Sequence, residues 1–432
     1  MRILILGASG FIGSRIAAEL QNAGHKIVAC GRDRDRLQRF LPFAEAMACD
    51  LAKDTAADWR ARLVGVDAVV NAAGIFREHG ANGFGRVHAA GPSTLFEACA
   101  ALKVPKLIQI SALGAGEGAQ TPFHLSKRAA DDCCMERARQ YGLPGWTVVR
   151  PSLVIGRGGQ STALFAALSA LPWPLRLSRG TWQTQPIHVA DLACAIRLLL
   201  ERDASSRGVL DLVGPSPMTT DELTSQLRRW LGLPPARPLP VPYWLLRAGV
   251  PLAQALSFDA LSKDSLTMLK QGNTAPVAPL TDALHWTPRE IGAALASEPA
   301  TEADLWHARL FFLRPALRMG LALLWIVTAI LSAFVFPLEK SIGMVAGLDV
   351  SAWQASALVY AGAAVDGLLG LALLLNIKPA LIGVLQLVTI AVFTVLASFA
   401  VPETWIDPLG PLTKNLAVVL ATLAMIAMEA RR

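Results

Sequence analysis

Short apolar runs alternate with helix-periodic stretches through about the first 150 residues. Residues 2–6, Arg-Ile-Leu-Ile-Leu, form an apolar run that ends at a glycine, which predicts a buried strand. Ile12, Ile16 and Leu20 then recur every four positions, as on one face of a helix. Five more runs have the character of strands, at residues 26–30, 44–50, 67–74, 105–112 and 145–151. This alternation predicts an α/β domain in which helices cover both faces of a parallel sheet.

The pattern becomes less regular, and richer in proline and tryptophan, after residue 155. We expect residues 1–155 to form the nucleotide-binding sheet domain and residues 156–298 to form a smaller substrate lobe over it. The proline-dense residues 231–244 are predicted to be extended or turn-like. Residues 299–315 are expected to be a linker.

Residues 316–432 are dominated by four apolar runs, at 319–336, 355–375, 380–401 and 416–428. Three of them approach or exceed the roughly 18–20 residues that cross a bilayer, and the fourth needs residues 412–415 to complete it. A very apolar soluble bundle is the alternative, but soluble helices carry a polar stripe and these hardly do. We therefore expect an all-α bundle of four transmembrane helices in contact with the lipid bilayer.

The basic residues near these runs predict an orientation. The ends that would face inside hold Arg309, Arg314, Arg318, Lys378, Arg431 and Arg432, whereas the outside loops hold Lys340 and Lys414. Cytoplasmic ends of membrane helices carry an excess of Lys and Arg. The distribution predicts an integral protein of the cell inner membrane with both termini in the cytoplasm.

The charge distribution and the cysteine spacing argue against two kinds of ligand, nucleic acid and metal ions. The formal net charge is +7, but the arginines are scattered without a block of like charge, so no nucleic-acid partner is expected. None of the six cysteines belongs to a CxxC motif with a second ligand pair, so no metal site is expected. The N-terminus lacks the features of a signal peptide, which places the first domain in a reducing cytoplasm.

The stretch GASGFIG at residues 7–13 follows the first predicted strand and opens the first predicted helix. Gly7 permits a tight turn, Gly10 lets the backbone approach a pyrophosphate, and Gly13 lets helix and strand pack closely. This arrangement predicts dinucleotide binding. The remaining residues of the candidate loop are Ser9, Phe11 and Ile12.

The end of the second strand decides which nucleotide is preferred. NAD-binding proteins usually carry an acidic residue there, but this strand ends at Arg32. Arg32 can meet a 2′-phosphate, with Arg36 one turn further, which favours NADP(H) over NAD(H). Two alternatives stay open: Asp33 can reach a ribose, and Arg32 can be a solvated surface residue. At other strand ends the candidate cofactor-binding residues are Asp50, Leu51, Ala72, Ala73, Gly74 and Pro151.

Several motifs together resemble the extended and atypical short-chain dehydrogenases/reductases over roughly residues 1–290. They are GASGFIG, CDL, NAAG, ISALGAG, VVRPSLVIGRG and a lysine four residues after an aromatic residue. The ISALGAG wording is most similar to a branch that includes the nucleotide-binding accessory subunit of respiratory complex I, whose members often hold NADPH without evident turnover. The resemblance implies a doubly wound parallel Rossmann sheet with a small substrate lobe.

The C-terminal part resembles the DoxX-like four-helix membrane domain. The resemblance rests on AVDGLLGLALLL at residues 364–375 and WIDPLGPLTKNLAVVLATL at residues 405–423. It implies a membrane redox or quinone-linked role. A membrane-protein partner is also an expectation.

The resemblance implies a catalytic set in which one position departs from the family. Ser111 matches the substrate-orienting serine and Lys127 matches the ribose-holding lysine, but Phe123 stands where the family has its proton-donating tyrosine. A phenyl ring cannot perform general acid–base catalysis. His124 is the adjacent titratable residue and a candidate replacement, although one step along a helix turns it away. Ser111 can equally be a buried hydroxyl at a strand end.

Asp366 lies within the second apolar run, where a carboxylate should face the bundle interior and find a partner. Lys414 and Asn415 are candidate partners, and Gln386 can join the same polar cluster. A functional role and a helix-packing role are both open.

Two functional hypotheses follow. The first is a membrane-tethered NAD(P)H-dependent oxidoreductase acting on an apolar or quinone-like substrate by a tyrosine-independent mechanism. The second is a non-catalytic nucleotide-binding scaffold or sensor that docks a membrane redox complex.

Overall fold

The computed structural model describes residues 1–75, 83–177, 181–202, 208–255, 262–345, 351–408 and 410–429. It divides into two compact units, Met1–Ala308 and Arg309–Arg432. Each unit has its own hydrophobic core.

The first unit is built on strands that match the apolar runs of the sequence. In chain order the strands are β1 (Arg2–Leu6), β2 (Lys26–Gly31), β3 (Glu45–Ala48), β4 (Ala68–Asn71), β5 (Lys106–Ile110), β6 (Trp146–Pro151), β7 (Val154–Ile155), β8 (Leu175–Leu177), β9 (Gln183–Thr184), β10 (Ile187–His188), β11 (Gly208–Leu212), β12 (Met218–Thr219) and β13 (Leu239–Val241). Seven of them form one parallel sheet in the order β3-β2-β1-β4-β5-β6-β11, and the other six pair in twos.

The seventh strand of the sheet, β11, was not predicted. It comes from the segment assigned to the substrate lobe, and it pairs in parallel with β6 from Gly208 to Leu212. The lobe is therefore interrupted by a return of the chain to the sheet.

Helices cover both faces of the sheet. In this unit they are α1 (Phe11–Asn22), α2 (Arg34–Phe40), α3 (Ala56–Arg62), α4 (Gly91–Ala101), α5 (Pro122–Gln140), α6 (Gln160–Ala170), α7 (Val189–Glu201), α8 (Thr220–Trp230), α9 (Tyr243–Ala255), α10 (Lys263–Gln271), α11 (Ala278–Leu284) and α12 (Ile291–Ala296). A π-helical turn, Gly85–Ala90, precedes α4. Ile16 and Leu20 of α1 pack on one face of the sheet, as their spacing predicted, while Phe96 and Trp146 fill the core on the other face.

The second unit is helical. Its helices are α13 (Glu302–Ile330), α14 (Leu338–Val345), α15 (Ala352–Leu374), α16 (Pro379–Ala400) and α17 (Asn415–Glu429), with a π-helical turn at Leu331–Val335 and a 3₁₀ turn at Pro402–Trp405. Within the described residues, three helices are long and apolar enough to cross a membrane: α13 with its π-helical turn, α15 and α16.

Two boundaries differ from the sequence expectations. Helix α13 begins at Glu302, so most of the expected linker is helical. Helix α17 begins at Asn415, and the residues just before it form turns, so they do not lengthen the fourth apolar helix as expected.

Small residues let the helices of the second unit approach closely. A Cβ on Gly370 of α15 would lie 2.9 Å from the backbone oxygen of Ala322 on α13. Polar contacts join α13 to the C-terminal ends of α15 and α17: Arg314 donates to Glu429 at 2.6 Å, and Arg318 donates to the side chain of Asn376, just after α15, at 2.7 Å. Arg431 and Arg432, which contributed to the predicted orientation, lie outside the described residues.

Candidate nucleotide-binding site

The glycine loop between β1 and α1 has the close contacts that its spacing predicted. Gly7 has a φ of +69°, and a Cβ on it would lie 2.8 Å from the Ala72 backbone oxygen. The Gly10 N–H donates to the Gly7 oxygen at 2.9 Å. A Cβ on Gly13 would lie 2.2 Å from that same oxygen, so no larger residue fits.

The N-terminus of α1 has the electrostatic character of an anion site. Gly10 occupies the N-cap position, no side chain caps the helix, and its first turn carries no acidic residue. Ser9 and Gly10 are exposed, and Phe11 and Ile12 are half-buried. The amides of this turn and the helix dipole can therefore receive a pyrophosphate.

Arg32, in the turn after β2, and Arg36, in the first turn of α2, have exposed side chains. Asp33 is the N-cap of α2, and its carboxylate accepts a hydrogen bond from the Arg36 N–H at 2.9 Å. The acid that sequence reasoning left as a possible ribose ligand thus has a capping role.

Other predicted cofactor residues gather at the carboxyl edge of the sheet. The Asp50 carboxylate accepts from the Ala52 N–H at 3.1 Å, and Leu51 is buried. The Ala73 N–H donates to Asn71 at 3.2 Å, which fixes the chain after β4. Pro151, at the end of β6, is buried, and its backbone oxygen accepts from Leu113.

Lys127 is buried on α5 and points to this edge. Its Nζ donates to the Ile110 backbone oxygen at 3.1 Å. A Cβ on Gly74 would lie 3.1 Å from the same Nζ. Burial lowers the pKa of Lys127 to about 8, against the opposing charge of Asp131. The lysine therefore keeps its proton at neutral pH and lies beside the predicted Gly74.

Ser111 is tied to a residue that sequence reasoning missed. Its hydroxyl donates to Asp131 at 2.8 Å, and Arg150 donates to the same carboxylate oxygen at 2.9 Å. Burial raises the pKa of Asp131 to about 6, although Ser111 and Arg150 oppose the shift. Asp131 lies one helical turn after Lys127, and this i, i+4 spacing was the available signal.

An aromatic cluster occupies the place of the family tyrosine. Phe123 is buried and makes edge-to-face contacts with Phe84 and with His88, which stacks on Phe84. His88 was also missed, because it lies on the π-helical turn far from the motifs. Such turns are frequent at functional sites.

The hydrogen bonds of His88 fix its tautomer. Nε2 accepts from the Ile75 N–H at 2.9 Å, so the ring proton is on Nδ1, 2.9 Å from the Ser126 hydroxyl. Ser126 in turn donates to the Phe123 backbone oxygen at 2.7 Å. Burial, with the nearby charge of Lys127, lowers the pKa of His88 to about 3. His88 is therefore a neutral ring with both nitrogens occupied.

His124 lies beside this cluster, with its ring centroid 5.7 Å from that of Phe123. A Cβ on Gly114 would lie 2.7 Å from its Cε1, so the ring rests on the loop after β5. Burial lowers the pKa of His124.

Two polar residues at the start of α7 are held by structural contacts. His188 is the N-cap of α7, and Asp191 forms an ion pair with Arg289 at 2.6 Å. Within the described part of the chain, no three or more His, Cys, Asp or Glu residues are grouped as metal ligands.

Comparison with known families divides the chain as its fold does. Residues 3–211 match the NAD dependent epimerase/dehydratase family, and residues 322–423 match the DoxX-like family. The DoxX-like match and the three long apolar helices identify a membrane protein.

Curated relatives match about half of the chain. The chain is similar to the mitochondrial NADH dehydrogenase (ubiquinone) 1 alpha subcomplex subunit 9 of Arabidopsis thaliana, with 24% identity over 247 residues, 52% of this chain and 58% of that protein. The protein of the same name from Dictyostelium discoideum is 28% identical over 234 residues, 52% of this chain and 62% of that protein. The chain thus spans less than two thirds of either relative.

Solved structures share the fold. UDP-glucuronic acid 4-epimerase from Bacillus cereus, solved with UDP-glucuronic acid and NAD, gives a TM-score of 0.53 at 18% identity, over 72% of this chain and all of that one. A nucleoside-diphosphate-sugar epimerase from Pseudomonas aeruginosa gives 0.52 at 19% identity, over 68% of this chain and 95% of that one. At these identities the likeness establishes the fold alone.

Proposed function

We propose that this chain, which joins an epimerase/SDR-like NAD-dependent domain to a C-terminal DoxX-like membrane domain, is a membrane-anchored NAD(P)H-dependent oxidoreductase. Its substrate is apolar or quinone-like, and its mechanism uses no tyrosine. One observation carries the proposal: Lys127 is retained and buried beside Gly74, although Phe123 stands one turn before it.

A quinone is proposed as the hydride acceptor because Phe123 stands where the family has its proton-donating tyrosine. When bound, a reduced nicotinamide supplies a hydride and is left oxidised. A quinone that gains this hydride becomes a quinolate, which takes one proton from water to give the hydroquinone. Because the quinolate is far less basic than the alkoxide formed from a simple ketone, a positioned acid, worth roughly 10²–10⁴-fold, is dispensable.

The side chains around the site support this assignment. Phe84, which is half-buried and packs edge-to-face on the buried Phe123, offers an apolar aromatic surface for an acceptor ring. The Lys127 ammonium holds the ribose. His88 stays neutral and supports Phe123 through Ser126. Ser111, His124 and Lys127 remain the proposed catalytic set, although Ser111 and His124 face other partners in this structure.

NADP(H) is proposed as the preferred nucleotide. Arg32 and Arg36 are exposed at the end of β2, where they can receive a 2′-phosphate. Asp33, the acid nearest the expected ribose, is engaged as a helix cap.

The test is turnover by the full chain in detergent micelles. NADPH oxidation would be followed by absorbance with short-chain quinones and with aldehydes. We expect quinone-dependent oxidation, loss of it in Lys127→Met, and aldehyde reduction only in Phe123→Tyr. Bound nucleotide without oxidation by any quinone would overturn the enzymatic assignment.

A non-catalytic scaffold is the second candidate. It is favoured by the matches to two NADH dehydrogenase subunits and by the engagement of Ser111 and both His88 nitrogens. In this case the nucleotide is structural and the helices dock a membrane redox complex. Nucleotide that stays bound and reduced in the presence of quinones would support it.

We also propose that the second unit crosses the inner membrane four times, with both termini in the cytoplasm. The contacts of Arg314 and Arg318 with Glu429 and Asn376 support this arrangement, since they gather the ends predicted to face inside.

A further inference from the structure

Three buried polar side chains in the helical bundle have atoms without hydrogen-bond partners among the described residues. Gln386 on α16 is fully buried, and neither its amide oxygen nor its nitrogen has a partner. The same holds for Nε1 of Trp325, which is 6% exposed, and Oδ1 of Asp366, which is 5% exposed. Buried polar groups are normally paired, so each of these atoms needs a partner.

The three side chains face one region of the bundle interior. Trp325 packs with Leu369 and Ile390 in one apolar cluster. Asp366 is three residues from Leu369 and Gln386 is four from Ile390, so each lies on the helix face that joins the cluster.

The register between α15 and α16 brings the two polar side chains to similar depth. A Cβ on Gly362 would lie 3.5 Å from the Phe393 ring. Helices α15 and α16 are joined by a short turn and run in opposite directions. A residue nearer the end of α15 therefore lies at the same depth as a residue nearer the start of α16. Asp366 and Gln386 are then about one helical turn apart in height.

The bundle's own chemistry leaves Asp366 without a cationic partner. The membrane stretches 319–335, 352–374, 379–400 and 415–429 contain no Lys, Arg or His. The expected partner Asn415 donates instead to the Thr394 hydroxyl at 2.8 Å.

The unpaired atoms specify the kind of ligand. Trp325 offers an N–H donor, Gln386 offers a donor and an acceptor, and Asp366 offers an acceptor. A metal cation would leave the Trp325 and Gln386 donors unused. A neutral oxygen group with a hydroxyl proton, by contrast, can satisfy donors and acceptors together.

An apolar groove adjoins this polar centre. It lies between α16 and α17, has a volume of about 720 Å³, and is lined mainly by apolar side chains. Ile390 and Val419 line the groove and also pack in the cluster around Trp325. Leu387, which also lines the groove, is the neighbour of Gln386 in sequence. A long apolar chain in the groove would thus have its head at the polar centre.

We propose that the bundle binds a neutral amphiphile, with its hydroxyl head on Trp325, Asp366 and Gln386 and its hydrocarbon tail in the groove between α16 and α17. This site involves only residues of the second unit, so it does not depend on hydride transfer by the first unit.

The test uses the full chain in phospholipid nanodiscs and a photoactivatable hexadecanol. We expect cross-links on peptides of α16 and α17 that line the groove. Excess hexadecanol should compete, whereas hexadecane and hexadecyltrimethylammonium should not. Gln386→Leu should reduce labelling by about tenfold, the loss expected when a buried hydrogen-bonding partner is removed.

Val388→Ala is the matched control, because this residue of α16 is 56% exposed and lies outside the groove lining. It should label like the parent chain. Asp366→Asn, which keeps the side-chain shape, should weaken labelling with an unchanged unfolding midpoint. Labelling that hexadecane competes away, or that Gln386→Leu leaves intact, would overturn the proposal, with water as the occupant of the polar centre.

Discussion

Lys127, the proposed ribose ligand, would make nucleotide binding sensitive to pH. Its pKa is lowered to about 8 by burial, so the amine is charged at neutral pH and loses its proton as the pH rises through that value. A hydrogen bond from a charged donor is roughly twice as strong as one from a neutral donor. We expect NADPH affinity to fall severalfold between about pH 7 and about pH 9.

The measurement is the dissociation constant by calorimetry at a series of pH values. Lys127→Met should bind more weakly at neutral pH and show no step near pH 8. A step that persists in this variant would assign the titration to another group.

Gly13 is the residue whose replacement the glycine loop tolerates least. A Cβ would meet the Gly7 backbone oxygen at 2.2 Å, and backbone cannot move aside as a side chain can. Gly13→Ala should therefore abolish measurable NADPH binding and lower the unfolding midpoint of the first unit. Gly118→Ala is the control, because nothing lies within 4 Å of its added Cβ. Equal binding by both variants would contradict the close helix–strand packing.

Arg32 tests the preference for NADP(H). Arg32→Ala should weaken NADPH binding by about tenfold or more, since it removes a charge-assisted contact to a phosphate, and should leave NADH binding unchanged. Asp33→Ser keeps a capping oxygen and removes the carboxylate. If Asp33 acts only as the cap, this second variant binds both nucleotides like the parent chain.

At the scale of elements, local pattern predicted most of the sheet but not its edge. The six strands from β1 to β6 each begin and end near an apolar run, because a buried parallel strand must be apolar throughout. Strand β11 has a similar run, but its place beside β6 depends on pairing across more than 50 residues of sequence. The same limit applies to helix lengths in the second unit, where α17 starts at Asn415 and not at residue 412, as a full-length span would require.

The residues of the candidate site also fall into those that the sequence predicted and those that only the structure shows. The glycines follow from the spacing of their motif, and Phe123 and Lys127 were identified through the family resemblance, so the sequence was sufficient to find them. His88 and Asp131 acquire their roles from contacts made by folding: His88 reaches Ile75 and Ser126, and Asp131 joins Ser111 to Arg150. No local pattern marks such contacts.

The approach of α13 and α15 is testable through one glycine. A Cβ on Gly370 would lie 2.9 Å from Ala322 backbone oxygen, so Gly370→Ala must separate the two helices. Small residues are what permits such close packing in membranes. We expect a lower unfolding midpoint of the second unit in detergent. Gly320→Ala, on α13, has nothing within 4 Å of its Cβ and should leave the midpoint unchanged.

At the scale of the whole molecule, charge predicts which ends of the membrane helices share a side. Arg318 at one end of the α13 span contacts Asn376, which follows α15, and Arg314 contacts Glu429 at the end of α17. Polar contacts thus join the start of the α13 span to the ends of α15 and α17, and Arg314 and Arg318 supply the positive charge there. Their burial in lipid would be costly, so this end should lie at the cytoplasmic surface.

This placement makes the number of crossings measurable. With four spans, a fluorescent-protein reporter at the C-terminus should fluoresce, and an alkaline phosphatase inserted after Pro337 should be active outside. With three spans, the C-terminal reporter would be dark and a C-terminal phosphatase active. Basic residues added beside Lys414 give the decisive variant, because they favour keeping this loop on the cytoplasmic side. Helix α17 has only 15 helical residues, so its insertion is the one that a reversed charge distribution should prevent most easily. We expect these added charges to retain the 414 loop inside and to lower the activity of an alkaline phosphatase inserted after Lys414, while the same charges added beside Lys378 leave that activity unchanged.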